Sequence, residues 1–301
     1  MDAMQRIDVH ADDYGLTLNT SKEMLEGINA GKLNSISVVP NMSAYDSSYE
    51  LWKEKLDETK RPAISVHLNF MEGHCCSNPT KLDYLVDANG LFNISWGTLV
   101  KYNYNYSIRK HVKEQLKLEI AAQISKVIKT YDLLKERRLR VDSHQHTHMI
   151  PIVMESLLEV IKENNYLTEY IRISKEPWWV YLKLPKFYTS YRPINLIKVM
   201  ILNWYAIKDE KMLKKYRLPS MLLCGVFLSG KMDYARVSEL LPKLKTVAEK
   251  KNMTLEVLFH PGSAKTNEVG KEFNHPDANE FYLSPNRRIE YEAMMNLNVM
   301  E

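Results

Sequence analysis

The sequence predicts an α/β protein: an irregular, seven-stranded TIM-like (β/α) barrel. Three observations predict it. Short β-branched or apolar runs recur at 6–11, 35–40, 63–69, 139–144, 169–173, 221–226 and 254–259. Helical patterns at 20–31, 108–137, 152–164 and 233–250 stand between them. That alternation argues for parallel strands covered by helices. Polar residues also gather where the runs end, and in a parallel barrel those ends meet at one mouth. Seven runs point to an incomplete barrel; a doubly wound open sheet is the alternative.

In chain order, the first run leads into Asp12 and Asp13. The second, Ser35-Ile36-Ser37-Val38-Val39, is β-branched and uncharged. The third ends on His67 and Asn69, and the fourth on Asp142 with His144, His146 and His148 behind it. Arg172 lies at the end of the fifth. The sixth is apolar, and the seventh, Leu255-Glu256-Val257-Leu258-Phe259, runs straight into His260.

A chain of 301 residues suits one such barrel. We expect a single domain over 1–301, with an aromatic-rich helical insertion at about 177–216. Apolar residues at 45 % and charged residues at 26 % are the balance of a soluble globular protein. The net charge of +4 comes without a clustered basic stripe, which argues against a nucleic-acid binder. The most apolar helical stretch, Leu196 to Ile207, is broken by Lys198 and too short to span a bilayer. Three cysteines, Cys75, Cys76 and Cys224, give neither a disulfide framework nor zinc-finger spacing. With no basic n-region and apolar h-region at the start, the expected compartment is the cytoplasm.

Four motifs carry chemistry. In His10-Ala11-Asp12-Asp13-Tyr14-Gly15, adjacent carboxylates on an extended chain face different ways, so Asp13 can hold a metal while Asp12 handles a proton; Asp-Asp before Gly is also turn chemistry. His67, closing an apolar strand, reads as a ligand or as a hydrogen-bonded core histidine. In Asp142-Ser143-His144-Gln145-His146-Thr147-His148 the histidines alternate, and an extended chain would point all three and Asp142 to one side. A metal relieves that crowding, since neutral imidazole is a favoured ligand. His144, nearest the strand end, is the chosen ligand; His146 and His148 would support it or touch substrate. Phe259-His260-Pro261-Gly262 sets an imidazole at the mouth, as a general acid or as a simple strand cap. Two histidines and one carboxylate with open positions make a catalytic rather than a closed structural site. Such a metal would polarise a carbonyl and acidify water.

These residues resemble the YdjC-type carbohydrate deacetylases, which include chitooligosaccharide deacetylases. The resemblance rests on residues 10–15, Val66-His67-Leu68-Asn69, residues 142–148 and His260-Pro261-Gly262. Weaker echoes are Ile171-Arg172 with Glu176-Pro177, Ser229-Gly230, and Ser284-Pro285-Asn286-Arg287 with Glu290. It implies a TIM-like barrel, one divalent cation, a homodimer, and removal of acetyl groups from N-acetylated mono- or oligosaccharides. By resemblance Asp12 is the base, His260 the acid, and Asp13, His67 and His144 hold the metal. Asn69, His146, His148, Arg172, Glu176 and Trp178 are the expected substrate contacts. Resemblance allows Mg²⁺, while ligand softness favours Zn²⁺. Two departures stand on the expected substrate side: His10 where Asn is more usual, and Ile173-Ser174-Lys175-Glu176-Pro177-Trp178-Trp179 after Arg172. Trp178 and Trp179 could stack on sugar rings or join the core. Leu196, Met200, Ile201 and Trp204, at helical spacing, read as core or dimer face. Two other functions compete: another single-metal hydrolase such as a phosphoesterase, and a non-catalytic sugar-binding protein. Retention of Asp12, Asp13 and His260 argues against the last.

Overall fold

The computed structural model describes residues 7–133, 139–219, 221–273 and 278–298. Its strands are β1 (Ile7–Tyr14), β2 (Ser35–Val38), β3 (Ala63–Leu68), β4 (Leu139–Ser143), β5 (Thr168–Ile171), β6 (Met221–Cys224) and β7 (Thr254–Phe259). They form one parallel sheet in the order β5-β4-β3-β2-β1-β7-β6. The helices are α1 (Leu18–Asn29), α2 (Tyr45–Lys55), α3 (Trp96–Tyr104), α4 (Tyr106–Thr130), α5 (Pro151–Glu163), α6 (Pro193–Lys215), α7 (Tyr234–Lys250), α8 (Ala278–Tyr282) and α9 (Asn286–Asn296). The sheet curls into a half-barrel flanked by helices, as the incomplete barrel required; the flat doubly wound alternative is set aside.

Local chemistry explains the elements. The Thr17 side chain accepts the Thr20 N–H and starts α1. Met24, Leu25 and Ile28 then bury one face of it. Pro151 opens α5 at a position that lacks an intrahelical acceptor anyway. Asp233 caps α7 through the Arg236 N–H. Along α4, Arg109, Lys113 and Lys117 reach Glu155, Glu159 and Glu163 of α5 at 2.8, 2.6 and 2.6 Å. These pairs are partly exposed and set the register of the two helices more than their stability. Val112, Leu116, Ile120, Ile124 and Val127 supply the burial.

The barrel seam lies between β5 and β6, the two edges of the sheet. The loop after β5 bridges it to β6 and the turn beyond. Leu223 donates its N–H to the Lys175 carbonyl at 2.9 Å. Glu176 accepts the N–H groups of Gly225 at 2.8 Å and Phe227 at 2.7 Å.

Most boundaries shift by one to three residues from expectation, β2 and β6 ending two residues early, and three shifts have a clear local cause. The first strand runs on to Tyr14, because a register slip against β2 and a left-handed Asp13 (φ 79°) let pairing resume at Tyr14. The fourth stops at Ser143, since Gln145 (φ 53°) and His146 (φ 56°) are left-handed. The predicted helix 108–137 ends at Thr130, where Asp132 (φ 54°) reverses the chain; its continuation over 134–137 lies outside the described residues, as does residue 6. The three cysteines are unpaired. Among the described residues no helix is long and apolar enough to cross a membrane.

Asp209 is buried on α6, and neither carboxylate oxygen has a hydrogen-bond partner among the described residues. Burial pushes its pKa up to about 8, with Lys208 opposing. A folded-state pKa above the unfolded one favours the protonated folded form. That stability is full below the unfolded pKa and lost as pH rises through the folded value. Asp209→Asn should therefore gain about 1–2 kcal/mol near pH 8, and its Tm should fall less than wild type between about pH 5 and pH 9. Parallel Tm–pH curves would refute this.

Candidate active site

The C-terminal strand ends converge as two adjoining clusters. In one, single ligand atoms of Asp13, His67 and His144 lie within 4.8 Å of one another; in the other, those of His10, Asp12 and Asp142 do. All six residues are buried.

The second cluster already contains a cation. Arg172 donates Nη1 and Nη2 to the two Asp12 oxygens at 2.8 and 2.9 Å. Its Nη2 lies 3.1 Å from Asp142 Oδ2, and Nε donates to Glu256 Oε1 at 2.7 Å. Tyr170 donates its hydroxyl to the other Glu256 oxygen. Burial would raise the Asp12 pKa, but Arg172, then His67 and His10, hold it well below the usual carboxylate range. Asp142 is lowered to about 2: burial opposes, and Arg172 and His67 prevail. His10, set on β1, meets Ser35 Oγ at 2.6 Å, Ser37 Oγ at 2.7 Å and Asp12 Oδ1 at 3.1 Å. The residue standing in place of Asn therefore belongs to this buried network rather than to a substrate surface.

The first cluster is organised by tautomers, which follow from the hydrogen-bond partners. His67 Nδ1 faces Asp142 Oδ1 at 2.6 Å and must donate, leaving its Nε2 lone pair 3.6 Å from Asp13 Oδ1. Tyr282 donates its hydroxyl to Glu72 at 2.9 Å and so accepts from His144 Nε2 at 2.8 Å. With the ring neutral, that leaves the His144 Nδ1 lone pair 3.2 Å from the same Asp13 oxygen. The protonated ring donates there instead: burial opposes its charge, and Asp13 raises the His144 pKa. With both rings neutral, as a cation requires, three lone-pair atoms face one point. Arg287 donates to the far Asp13 oxygen, Oδ2, at 2.6 Å. Burial would raise the Asp13 pKa; Arg287 and His144 lower it strongly.

His260 stands at the rim, with its side chain 17 % exposed. Its backbone N–H donates to Glu290 at 2.7 Å, and Phe281 meets its ring edge-on.

The three strand-end histidines do not share a face, contrary to expectation. Left-handed Gln145 and His146 splay them. His144 turns to Asp13, while His146 meets Ser174 Oγ at 2.8 Å. His148 joins Ser143 Oγ to the Arg172 carbonyl at 2.5 and 2.7 Å, and burial depresses its pKa to about 4.

Most expected substrate contacts are committed to protein partners. Arg172 and His148 have been described. Asn69 accepts the Met71 and Glu72 N–H groups at 2.9 and 3.3 Å and fixes the turn after β3. Glu176 stitches the seam, and burial raises its pKa to about 7. Trp178 is half-buried and packs against the core. A cavity of about 570 Å³ follows β2 and β3, lined in part by Asn41, His74, Cys76 and Lys126; none of the expected site residues lines it. Sequence reasoning passed over Glu72 and Tyr282, which lie in no motif. It left His10 and Arg287 without a role, although both fall in quoted motifs.

An irregular parallel barrel with buried imidazoles and carboxylates at its C-terminal mouth is the build of a barrel enzyme with a candidate metal centre. The chain belongs to the YdjC-like protein family, whose model matches residues 6–301. It is 24 % identical over 240 residues to a carbohydrate deacetylase of Clostridium beijerinckii, covering 78 % of this chain and 89 % of that one. It is 23 % identical over 316 residues to a carbohydrate deacetylase of Xenopus laevis, covering 98 % and 92 %. A crystal structure from Enterococcus faecalis, described as a cellobiose-phosphate cleavage protein, superposes with a TM-score of 0.60 at 17 % identity over 97 % of this chain and 95 % of that one. That last likeness concerns the fold.

Replacing Arg172 tests the charge balance. Arg172→Met keeps the length but leaves Asp12, Asp142 and Glu256 without their shared cation. It should cost about 3–5 kcal/mol in urea unfolding, as uncompensated buried charge does. A loss under about 1 kcal/mol would show that these carboxylates are neutralised otherwise.

Proposed function

We propose that this chain removes the acetyl group from N-acetylated, chitooligosaccharide-like sugars, releasing acetate and an amino sugar. The observation that carries the reading is the set of three facing lone pairs, in a chain whose curated relatives are named carbohydrate deacetylases. A divalent cation fits that set. Ligands at about 2.0–2.2 Å in a four-coordinate shell stand about 3.2–3.6 Å apart, and Asp13 Oδ1 lies 3.2 and 3.6 Å from the two imidazole nitrogens. Each ring has its other N–H held by a carboxylate or a phenol, the usual support of a ligating histidine. The donor set favours Zn²⁺ by softness, while the family resemblance allows Mg²⁺. When bound, the cation supplies positive charge that polarises an acyl carbonyl and acidifies water.

The chain's own groups do the rest. Asp12, held ionised by Arg172, accepts the proton of the attacking water. The water oxygen bonds to the acyl carbon and the carbon–nitrogen bond breaks. His260, partly exposed at the rim, gives its proton to the leaving amine. His146 and Trp178 are the expected substrate contacts that remain half-buried and able to reach a sugar.

The reading covers 1–301 as one domain, with 177–216 as an aromatic insertion. Unpaired cysteines suit a cytoplasmic setting. The proposed protein partner is a second copy. Ile194, Ile197, Ile201 and Trp204 repeat at helical spacing on α6 and are exposed, Trp204 by 61 %. Trp204→Glu should convert a dimer to a monomer in light scattering after size exclusion; a monomeric wild type would remove the proposal.

Asp12→Asn should keep its metal and lose turnover by about a hundred- to ten-thousand-fold on an N-acetyl sugar panel. Asp13→Asn and His67→Ala should lose metal by elemental analysis while their Tm stays measurable. His260→Ala should keep metal and lose rate chiefly at higher pH, where solvent protonates the amine poorly. If Asp12→Asn stayed fully active, or His67→Ala kept its metal, the mechanism would be wrong. Release of phosphate rather than acetate would favour the phosphoesterase reading, and binding without turnover the sugar-binding one.

A further inference from the structure

Arg287 enters the site from α9 with its guanidinium only partly used. It is 2 % exposed, and Nη2 donates to Asp13 Oδ2 at 2.6 Å. Its Nε and Nη1 are buried and have no partner among the described residues. Arg172, by contrast, uses Nε, Nη1 and Nη2 on carboxylates. The Arg287 guanidinium carbon lies 4.8 Å from the ring centres of both Phe281 and Tyr282, so two aromatic faces hold it. Each neighbour belongs to the site: Tyr282 bonds His144, Phe281 borders His260, and Asp13 carries one of the three facing lone pairs. The guanidinium is therefore flanked by residues that touch both the lone-pair cluster and the rim histidine. A buried charged donor left unanswered is costly, and an oxygen acceptor answers it best.

We propose that Arg287 is a catalytic residue that touches the substrate: its Nε and Nη1 receive the acyl oxygen as charge develops on it, and afterwards bind the carboxylate of the acetate released. This deepens the deacetylase reading and rests on it. The same guanidinium keeps Asp13 ionised through Nη2, so one side chain serves protein and ligand at once.

The test uses the full-length, metal-loaded chain and the variants Arg287→Lys and Arg287→Gln. Lysine keeps a cation for Asp13 but loses the spread of donors; glutamine keeps neutral donors and covers failure of the lysine variant to fold. Acetate binding is measured by calorimetry, with metal content, kcat and KM alongside. Acetate held by the cation alone would bind all three proteins equally. The expected result is retained metal, acetate affinity at least about tenfold weaker in a folded variant, and kcat lower by about a hundredfold with little change in KM. Unchanged acetate affinity overturns the proposal. So does loss of metal in Arg287→Lys, which would make Arg287 a positioning residue for Asp13. A wild type on which acetate does not compete with substrate overturns it without any variant. If no N-acetyl sugar is hydrolysed but acetate binding depends on Arg287, the deacetylase reading fails and the carboxylate site stands. If sugars are deacetylated and the variants bind acetate as wild type does, the reading stands and this proposal fails.

Discussion

The buried guanidinium of Arg172 is the constraint on which the site depends. It sits among Asp12, Asp142 and Glu256, contributed by β1, β4 and β7, and itself follows β5. Three carboxylates so deep could not stay ionised without a cation, because desolvation would protonate them. With Arg172 in place, Asp12 and Asp142 are held in the acidic range. The fold thereby fixes the charge state of its interior before any ligand arrives. Tyr170, on Glu256, completes the hydrogen bonding on the side away from the mouth.

Asp142 links the Arg172 cluster to the one formed by Asp13, His67 and His144. One oxygen lies against Arg172 and Ser37, and the other accepts from His67. The charge that Arg172 stabilises thus decides which nitrogen of His67 is left as a lone pair. Tyr282 and Glu72 make the same decision for His144 from the opposite side of the site. The two clusters look alike as residue lists, yet Arg172 takes both oxygens of Asp12, whereas Arg287 takes only the far oxygen of Asp13 and leaves Oδ1 to the imidazoles. That contrast separates a scaffold from a candidate metal centre.

Much of this was legible in the sequence, and the failures have local causes. All seven strands are where the β-branched and apolar runs stand, and the strand ends carry the polar residues expected of a barrel mouth. The histidine run misled because alternation predicts one shared face only on an extended chain, and left-handed Gln145 and His146 break that condition. The same assumption failed at Asp13, whose positive φ comes with a bulge; Asp12 and Asp13 still face different partners, for a different reason. Arg172, Asn69 and Glu176 read as substrate groups because polar residues at strand ends look alike in sequence. Only the fold reveals that their donors and acceptors are taken. Tyr282 had no signal at all: a tyrosine in the short apolar run Phe281-Tyr282-Leu283 acquires meaning only once α8 lies over His144. Arg287 was visible as part of a motif, but its partner Asp13 lies 274 residues away.

That separation governs when the centre comes into being. β1 has β2 as one neighbour, reachable early, and β7 as the other, which is made only after the other six strands. A chain leaving the ribosome can pair β1 through β5 while Asp13 still waits for Arg287 and His144 for Tyr282. Closing so wide a span is entropically slow, and until then the β1 edge and its acidic residues stand open to other strands and to stray cations. The last helices are therefore more than a cover for the barrel: their arrival turns a half-built, adhesive sheet into a finished catalyst.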